Sequence, residues 1–382
     1  MFGSKKQSML KDPAERIKDW LSYNKPEDHG FSVDIDLGIL CEDLDEEYDI
    51  VDSLDPLNYR YYSAEELSTV ESVEDLLMAV IHSDNNAIEL LTELARYYRE
   101  KGLMSYALYW AQKAVILSDK LWKRSGALDD AIEVYFEANV ELGHCYFSHS
   151  DDGQGLPDLI KAAHYYKEGC DNFWAGRAYI GLGEYEEAEN QFNTYGACSK
   201  YCESKANAWI GQMYFINEEE EKAVRYWDKS IAGISGWGEY FKGRYLWGRQ
   251  KKYGEAIDLW QQGVDKGCIE CNTELFNWIA DYSNASDNEK MGMYKNLRMY
   301  AYEESLKAGY HHLHQNLLVN NIQLDEATRD YDMMEFVRHG LNNFCPYCAN
   351  IRRSELVDQG WPEDALYYER LLKLWGFDYN DY

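Results

Sequence analysis

Two stretches of the chain repeat one another. One reads Ala175-Gly176, Tyr179, Gly183, Ala188 and Phe192. The other reads Ile210-Gly211, Tyr214, Ala223, Trp227 and Ser230. Each places a Tyr three residues after a small residue, an Ala twelve after it, and an aromatic four further on. Gly176 to Gly211 and Ala188 to Ala223 are both steps of 35 residues. A fixed period of that length predicts stacked helical hairpins, because one hairpin cannot bury its apolar face alone. Chains of this kind mostly bind other proteins along an extended surface.

Composition agrees with that expectation and narrows it. The 382 residues include only 6 prolines, which suits long helices, and 46% are hydrophobic, enough to build a core. The net charge is −30, from 68 acidic and 38 basic residues. Such a chain repels nucleic-acid phosphates and anionic membrane surfaces but accepts a basic partner. Residues 1–20 carry Lys5, Lys6, Asp12 and Glu15 and no apolar run, so no secretory signal is expected. No run of 18 apolar residues is found anywhere, so no membrane span is expected. Nine cysteines without a signal are expected as reduced thiols in a cytoplasm.

Residues 1–60 read differently from the rest. Between Val33 and Tyr59 there is no Lys or Arg, and ten acids, among them Glu42, Asp43, Asp45, Glu46, Glu47 and Asp49. Phe31, Val33, Ile35, Leu37 and Ile39 alternate with polar residues or Gly, a period of two with no second strand to pair with. An irregular acidic arm or cap is therefore expected over 1–60, and its carboxylates form a candidate contact for a basic partner. Ser63-Ala64-Glu65-Glu66 has capping-box spacing and is expected to open the first solid helix.

Further hairpins flank the clear pair. Leu91 to Gly102 has helical apolar spacing and a terminating Gly. Ala107, Ala111 and Ala114 thin one face of the following helix. Leu142-Gly143 with Tyr146 opens another unit, and Tyr240 to Gly248 with Ala256 and Trp260 a fifth. These residues resemble the tetratricopeptide repeat and, in part, its Sel-one-like variant. The resemblance covers roughly residues 85–265. It continues more weakly through Trp278-Ile279-Ala280, Ala301-Tyr302 and Gly360 to Ala365. It departs from the pattern at Glu218, where a turn Gly is usual, and between Ala162 and Gly176, which are only 14 residues apart. The resemblance implies an all-α fold, a right-handed solenoid of stacked antiparallel hairpins. The expected division is an arm at 1–60, repeats at 61–265 and degenerate repeats at 266–382.

Residue clusters that carry chemistry elsewhere are weak here. Cys345-Pro346-Tyr347-Cys348 resembles the redox motif of glutaredoxins, but the 34 residues after Cys348 leave no room for that fold. Joined with Cys268 and Cys271 the pair would make a four-thiolate zinc set. The two pairs lie 73 residues apart, two repeat periods, or about 20 Å at roughly 10 Å per hairpin layer. His311, His312 and His314 lack an acidic or thiol partner at matching spacing. No catalytic residue, metal or cofactor is expected.

The resemblance also implies a binding face, since tetratricopeptide proteins hold peptides on the concave side of each hairpin's first helix. Carried onto this chain, that face takes Arg96, Arg99, His144, Phe147, Phe173, Arg177, Gln212, Phe215, Trp237, Tyr240, Arg244 and Trp247. The arginines are expected to be solvent-accessible there, to grip carboxylates, with aromatic faces beside them. The alternative for the aromatics is that they seal adjacent hairpins. The functional expectation is a non-catalytic adaptor or assembly scaffold. Its rival is an acidic inhibitor, such as an immunity protein that neutralises a basic toxin or nuclease. A thiol redox enzyme is the distant third.

Overall fold

A computed structural model describes residues 88–100, 102–125, 129–148, 156–281, 337 and 340–377. These residues form helices and turns, with no strand among them. The helices are α1 (Ile88–Glu100), α2 (Met104–Ser125), α3 (Asp129–Phe147), α4 (Leu159–Glu168), α5 (Asn172–Leu182), α6 (Tyr185–Gly196), α7 (Lys200–Ile216), α8 (Glu220–Ile231), α9 (Trp237–Gly248), α10 (Tyr253–Asp265), α11 (Ile269–Asp281), α12 (Pro346–Asp358) and α13 (Pro362–Leu374). None is long and apolar enough to cross a membrane. The acidic arm with Glu42, Asp43, Asp45, Glu46, Glu47 and Asp49, the capping box at Ser63 and the histidines at 311, 312 and 314 lie outside the described residues.

The chain divides into two compact units. The first holds residues up to 145 except 100–102, and the second holds 100–102 and 146–382. The boundary expected at 265/266 falls inside the second unit, where α10 packs on α11. In the first unit, Ile88, Leu91, Ala95 and Tyr98 recur at helical spacing and are buried. Ala107, Ala111 and Ala114 are fully buried on α2, the thin face that lets neighbouring helices close in. Gly102 turns the chain at φ +76°, and Tyr98 stacks on Tyr106 with centroids 5.2 Å apart.

In the second unit each helix from α4 to α11 packs on the next, and α7, α9 and α11 also meet in succession. The repeated residues explain why. A Cβ added to Gly176 would sit 2.8 Å from the Phe192 ring, and one at Gly211 would sit 2.5 Å from Trp227. Gly243 is pressed against Trp260 in the same way. Each small residue on a hairpin's first helix is the socket for a large ring on its second. Ala188, Ala223 and Ala256 are fully buried between them.

The turns repeat as well. Gly183, Glu218 and Lys251 all adopt positive φ (76°, 61° and 55°) five residues before those alanines. Gly360, at φ +80°, stands five before buried Ala365, so the α12–α13 hairpin carries the same turn. Asp158, Asp171 and Ser199 accept backbone N–H bonds at the starts of α4, α5 and α7. Lys266 ties the stack together by pairing with fully buried Glu239 while donating to the carbonyls of Ile231 (2.6 Å) and Gly233 (2.9 Å).

Candidate functional site

The residues assigned to a binding face separate into three environments. Arg96, Arg99 and His144 belong to the first unit. Arg99 was expected at the surface, but it is buried and forks onto Glu141, Nε to Oε1 at 2.6 Å and Nη2 to Oε2 at 3.4 Å. Arg96 reaches the same carboxylate at 3.5 Å and also pairs with Glu93. The physical reason is Glu141. A carboxylate 2% exposed must be neutralised, and both arginines at i and i+3 are used for that. His144 is half-buried.

Phe215 and Trp247 seal hairpins. The Phe215 ring lies 5.6 Å from Trp227 and 5.9 Å from Tyr245, and Trp247 lies 5.5 Å from Trp260. Each meets a ring on the second helix of its own hairpin, and Phe215 also meets Tyr245 on α9.

The remaining residues do come together, in the second unit. Arg177 is buried between the rings of Trp174 and Trp209, its guanidinium carbon 4.5 Å from each centroid. Phe147 flanks it at 5.5 Å. Trp209 touches Phe173 (5.8 Å), Trp237 (5.7 Å) and Phe241 (5.2 Å), joining α5, α7 and α9 into one aromatic floor. Gln212 lies one turn along α7. Arg244 and Tyr240 continue the row on α9, with Arg244 Nη1 3.2 Å from Glu274 on α11.

Arg177 and Arg244, on one face with Gln212 and Tyr240, were expected open to solvent. They are buried because the chain's own C-terminal segment covers them. Arg177 Nη2 donates to the Trp375 carbonyl at 3.1 Å, and Gln212 Nε2 donates to the Gly376 carbonyl at 3.3 Å. Trp375 returns its indole N–H to the Phe147 carbonyl at 3.2 Å. Phe377 packs on Trp209 with centroids 5.6 Å apart. Tyr347, at the start of α12, donates to Glu274 and lies 3.3 Å from the Tyr240 hydroxyl.

Lys205 and Trp209 belong to this floor and were missed. Both sit on α7 at helical spacing from Gln212, and that spacing was the available signal. Lys205 is half-buried, its ammonium 3.9 Å from the Phe173 centroid and 5.5 Å from that of Trp237. Burial pulls its pKa below the ordinary lysine value, while Glu270 opposes the shift. Trp375, Gly376 and Phe377 gave no signal, because nothing periodic links them to α5 or α7.

The cysteine pairs have a packing role. Cys271 presses on Gly263, and Cys348 on Gly340. The backbone N–H of Cys268 closes on Gly263 (3.0 Å), and that of Cys345 on Gly340 (2.9 Å). Both Cys-x-x-Cys pairs therefore hold the same junction between a finishing helix and the next one. Burial pushes the Cys268 and Cys271 thiols upward, and a hydrogen bond that Cys348 donates to Cys345, together with burial, does so for Cys348. A nucleophilic redox thiol needs the opposite shift. Among the described residues no three His, Cys, Asp or Glu side chains are grouped to hold a metal.

No family model, no curated protein and no solved structure matches the chain.

Proposed function

We propose that this chain is a non-catalytic protein–protein interaction module, an adaptor or assembly scaffold built as a right-handed solenoid of tetratricopeptide-like hairpins. The observation that carries the reading is the floor of α5, α7 and α9, which grips a polypeptide main chain. Arg177 and Gln212 each donate to a backbone carbonyl, and the Trp209 ring takes the Phe377 side chain that follows. Main-chain bonds supply affinity for any sequence, and pockets for alternate side chains supply selection. Nine cysteines, read as reduced thiols, support a cytoplasmic setting.

The test is capture of a partner from the native cell, read by quantitative mass spectrometry. Wild type is compared with Trp237→Ala and with a deletion of residues 33–55. A partner kept in high salt, lost with Trp237→Ala and retained by the deletion supports the groove. A basic partner lost with the deletion and with salt, but retained by Trp237→Ala, replaces this reading with the charge-complementary inhibitor.

A further inference from the structure

The contact between the C-terminal hairpin and the aromatic floor has the chemistry of a bound peptide. Inside the stack, helices are locked by size: Gly176 under Phe192, Gly211 under Trp227, Gly243 under Trp260. The α12–α13 hairpin has one such close contact with the stack, the Leu374 carbonyl against Gly181, and adds polar bonds to it. It buries Leu356, Ala365, Leu371 and Leu372, its two helices pack on each other, and α13 packs on α5. Its hold on the rest of the unit includes the two carbonyl acceptors at Trp375 and Gly376, the indole bond of buried Trp375 to the Phe147 carbonyl, the Tyr347–Glu274 bond and the Phe377 ring. The polar groove groups in that set, on Arg177, Gln212 and Glu274, can take water when the hairpin leaves, a property of exchangeable interfaces.

The seat is also selective. Gly376 has φ +84°, a conformation costly for any other residue. An added Cβ would lie at ordinary contact distance, 3.4 Å from Ile180 and 3.6 Å from Trp209, so the preference for glycine comes from the φ and not from lack of space. Gly181 leaves α5 bare where the Leu374 carbonyl lies against it. The floor therefore accepts an aromatic, a glycine in left-handed geometry and a second aromatic, with two carbonyls turned inward.

We propose that Trp375-Gly376-Phe377 is a resident occupant of the binding face. The α12–α13 hairpin shuts that face until a partner segment with the same aromatic–Gly–aromatic chemistry displaces it. This rests on the groove reading above and adds to it the class of ligand and an autoinhibitory contact. A tethered occupant competes at an effective concentration on the order of millimolar, so a free peptide meets a closed site in the wild type. Weakening the occupant without touching the floor opens it.

The experiment uses the full chain, its Phe377→Ala variant and the probe acetyl-Lys-Leu-Trp-Gly-Phe-amide. Binding is read by calorimetry, and opening by amide hydrogen exchange. The expected result is that the probe binds Phe377→Ala at least about tenfold more tightly than wild type. Replacing Gly by Ala in the probe removes that binding, and adding Gln212→Leu to the variant weakens it. Exchange in Phe377→Ala rises over α12 and α13 while α5 to α10 stay protected. The proposal is overturned if the probe binds both chains equally or binds neither. It is also overturned if α5 to α10 lose protection together with the hairpin, which would make the hairpin part of one cooperative core. A partner still captured through Trp237 in either of those cases leaves the groove reading standing and removes only the resident occupant.

Discussion

The Tyr214 hydroxyl donates to Glu189 Oε2 at 2.9 Å, and the same separation of 25 residues recurs where Tyr245 donates to Glu220 at 3.1 Å. A Tyr late in each first helix thus reaches back to a carboxylate on the preceding hairpin's second helix. Tyr226 completes the first of these sites with a 2.8 Å bond to Glu189 Oε1. The Tyr of the repeat is a tie between hairpins, and its hydroxyl explains why Phe would not serve.

That tie predicts an alkaline weakness. Burial, then the bond to Glu189, raises the pKa of Tyr214 and takes that of Tyr226 up to about 12. Because the folded values lie above the ordinary 10.0, the contribution is intact below pH 10 and is lost as pH rises through the folded values. Glu189→Gln should bring both tyrosines into titration earlier, though still late because burial remains. Ultraviolet absorbance of tyrosinate reads this directly. Unchanged titration in the variant would assign the whole shift to burial.

The size-matched pairs predict steep costs at small positions. Ala223→Glu places an unpaired charge at a fully buried site between α7 and α8 and should cost several kcal/mol, on the order of 3–5. Gly211→Ala puts a methyl group into the Trp227 ring and should cost roughly 1–3 kcal/mol. Denaturant melts of each variant measure both. A wild-type midpoint for Ala223→Glu would mean that the repeat register is wrong.

These pairs were legible in the sequence because helix packing is decided by residue size at fixed spacing, and Gly176, Ala188 and Phe192 state that spacing outright. The buried arginines were misjudged for the opposite reason, while Arg96 keeps 41% of its side chain exposed. Arg99 finds its partner Glu141 at a distance of 42 residues, on another helix, and nothing periodic announces a buried carboxylate. The covering of the aromatic floor was still further from view, since Arg177 and Trp375 are 198 residues apart and the bond is to a backbone carbonyl, which no side chain encodes. The two Cys-x-x-Cys pairs lay between these cases. Their shared Gly-x-x-x-x-Cys-x-x-Cys pattern was written in the chain, but it reads as packing only once Cys271 and Cys348 are seen against Gly263 and Gly340.

The departure from repeat pattern at Glu218 predicts a gain. Its φ of 61° is left-handed, as is that of Lys251 at 55°, while Gly183 fills the equivalent turn without strain. Both side chains are exposed, so little contact is lost on removing them. Glu218→Gly and Lys251→Gly should each stabilise the fold by about 0.5–1 kcal/mol, the steric relief outweighing the added freedom of the unfolded chain. Gly183→Ala should destabilise by a similar amount. Melting temperatures of the three variants check the signs, and a loss in Glu218→Gly would show that its carboxylate does more than turn the chain.

Lys205 offers a sharper test of the aromatic floor. Its ammonium gains from the faces of Phe173 and Trp237 but is dehydrated there, and dehydration is the larger effect because its pKa falls below 10.5. Glu270 and Asp171 pull the other way, and Arg177 adds to the fall. The unfolded chain therefore holds this proton more tightly than the folded one, and the charged form costs stability near neutral pH. Lys205→Met keeps the stem against both rings and removes the charge, so it should raise the melting temperature at pH 7. The gap should narrow as pH climbs from the folded value toward 10.5, where the wild-type amine sheds its proton and its penalty together. Calorimetric melts of both proteins across that range decide the matter. A variant less stable than wild type at neutral pH would mean that the ring faces outweigh the lost hydration, and that this end of the floor is built around a cation.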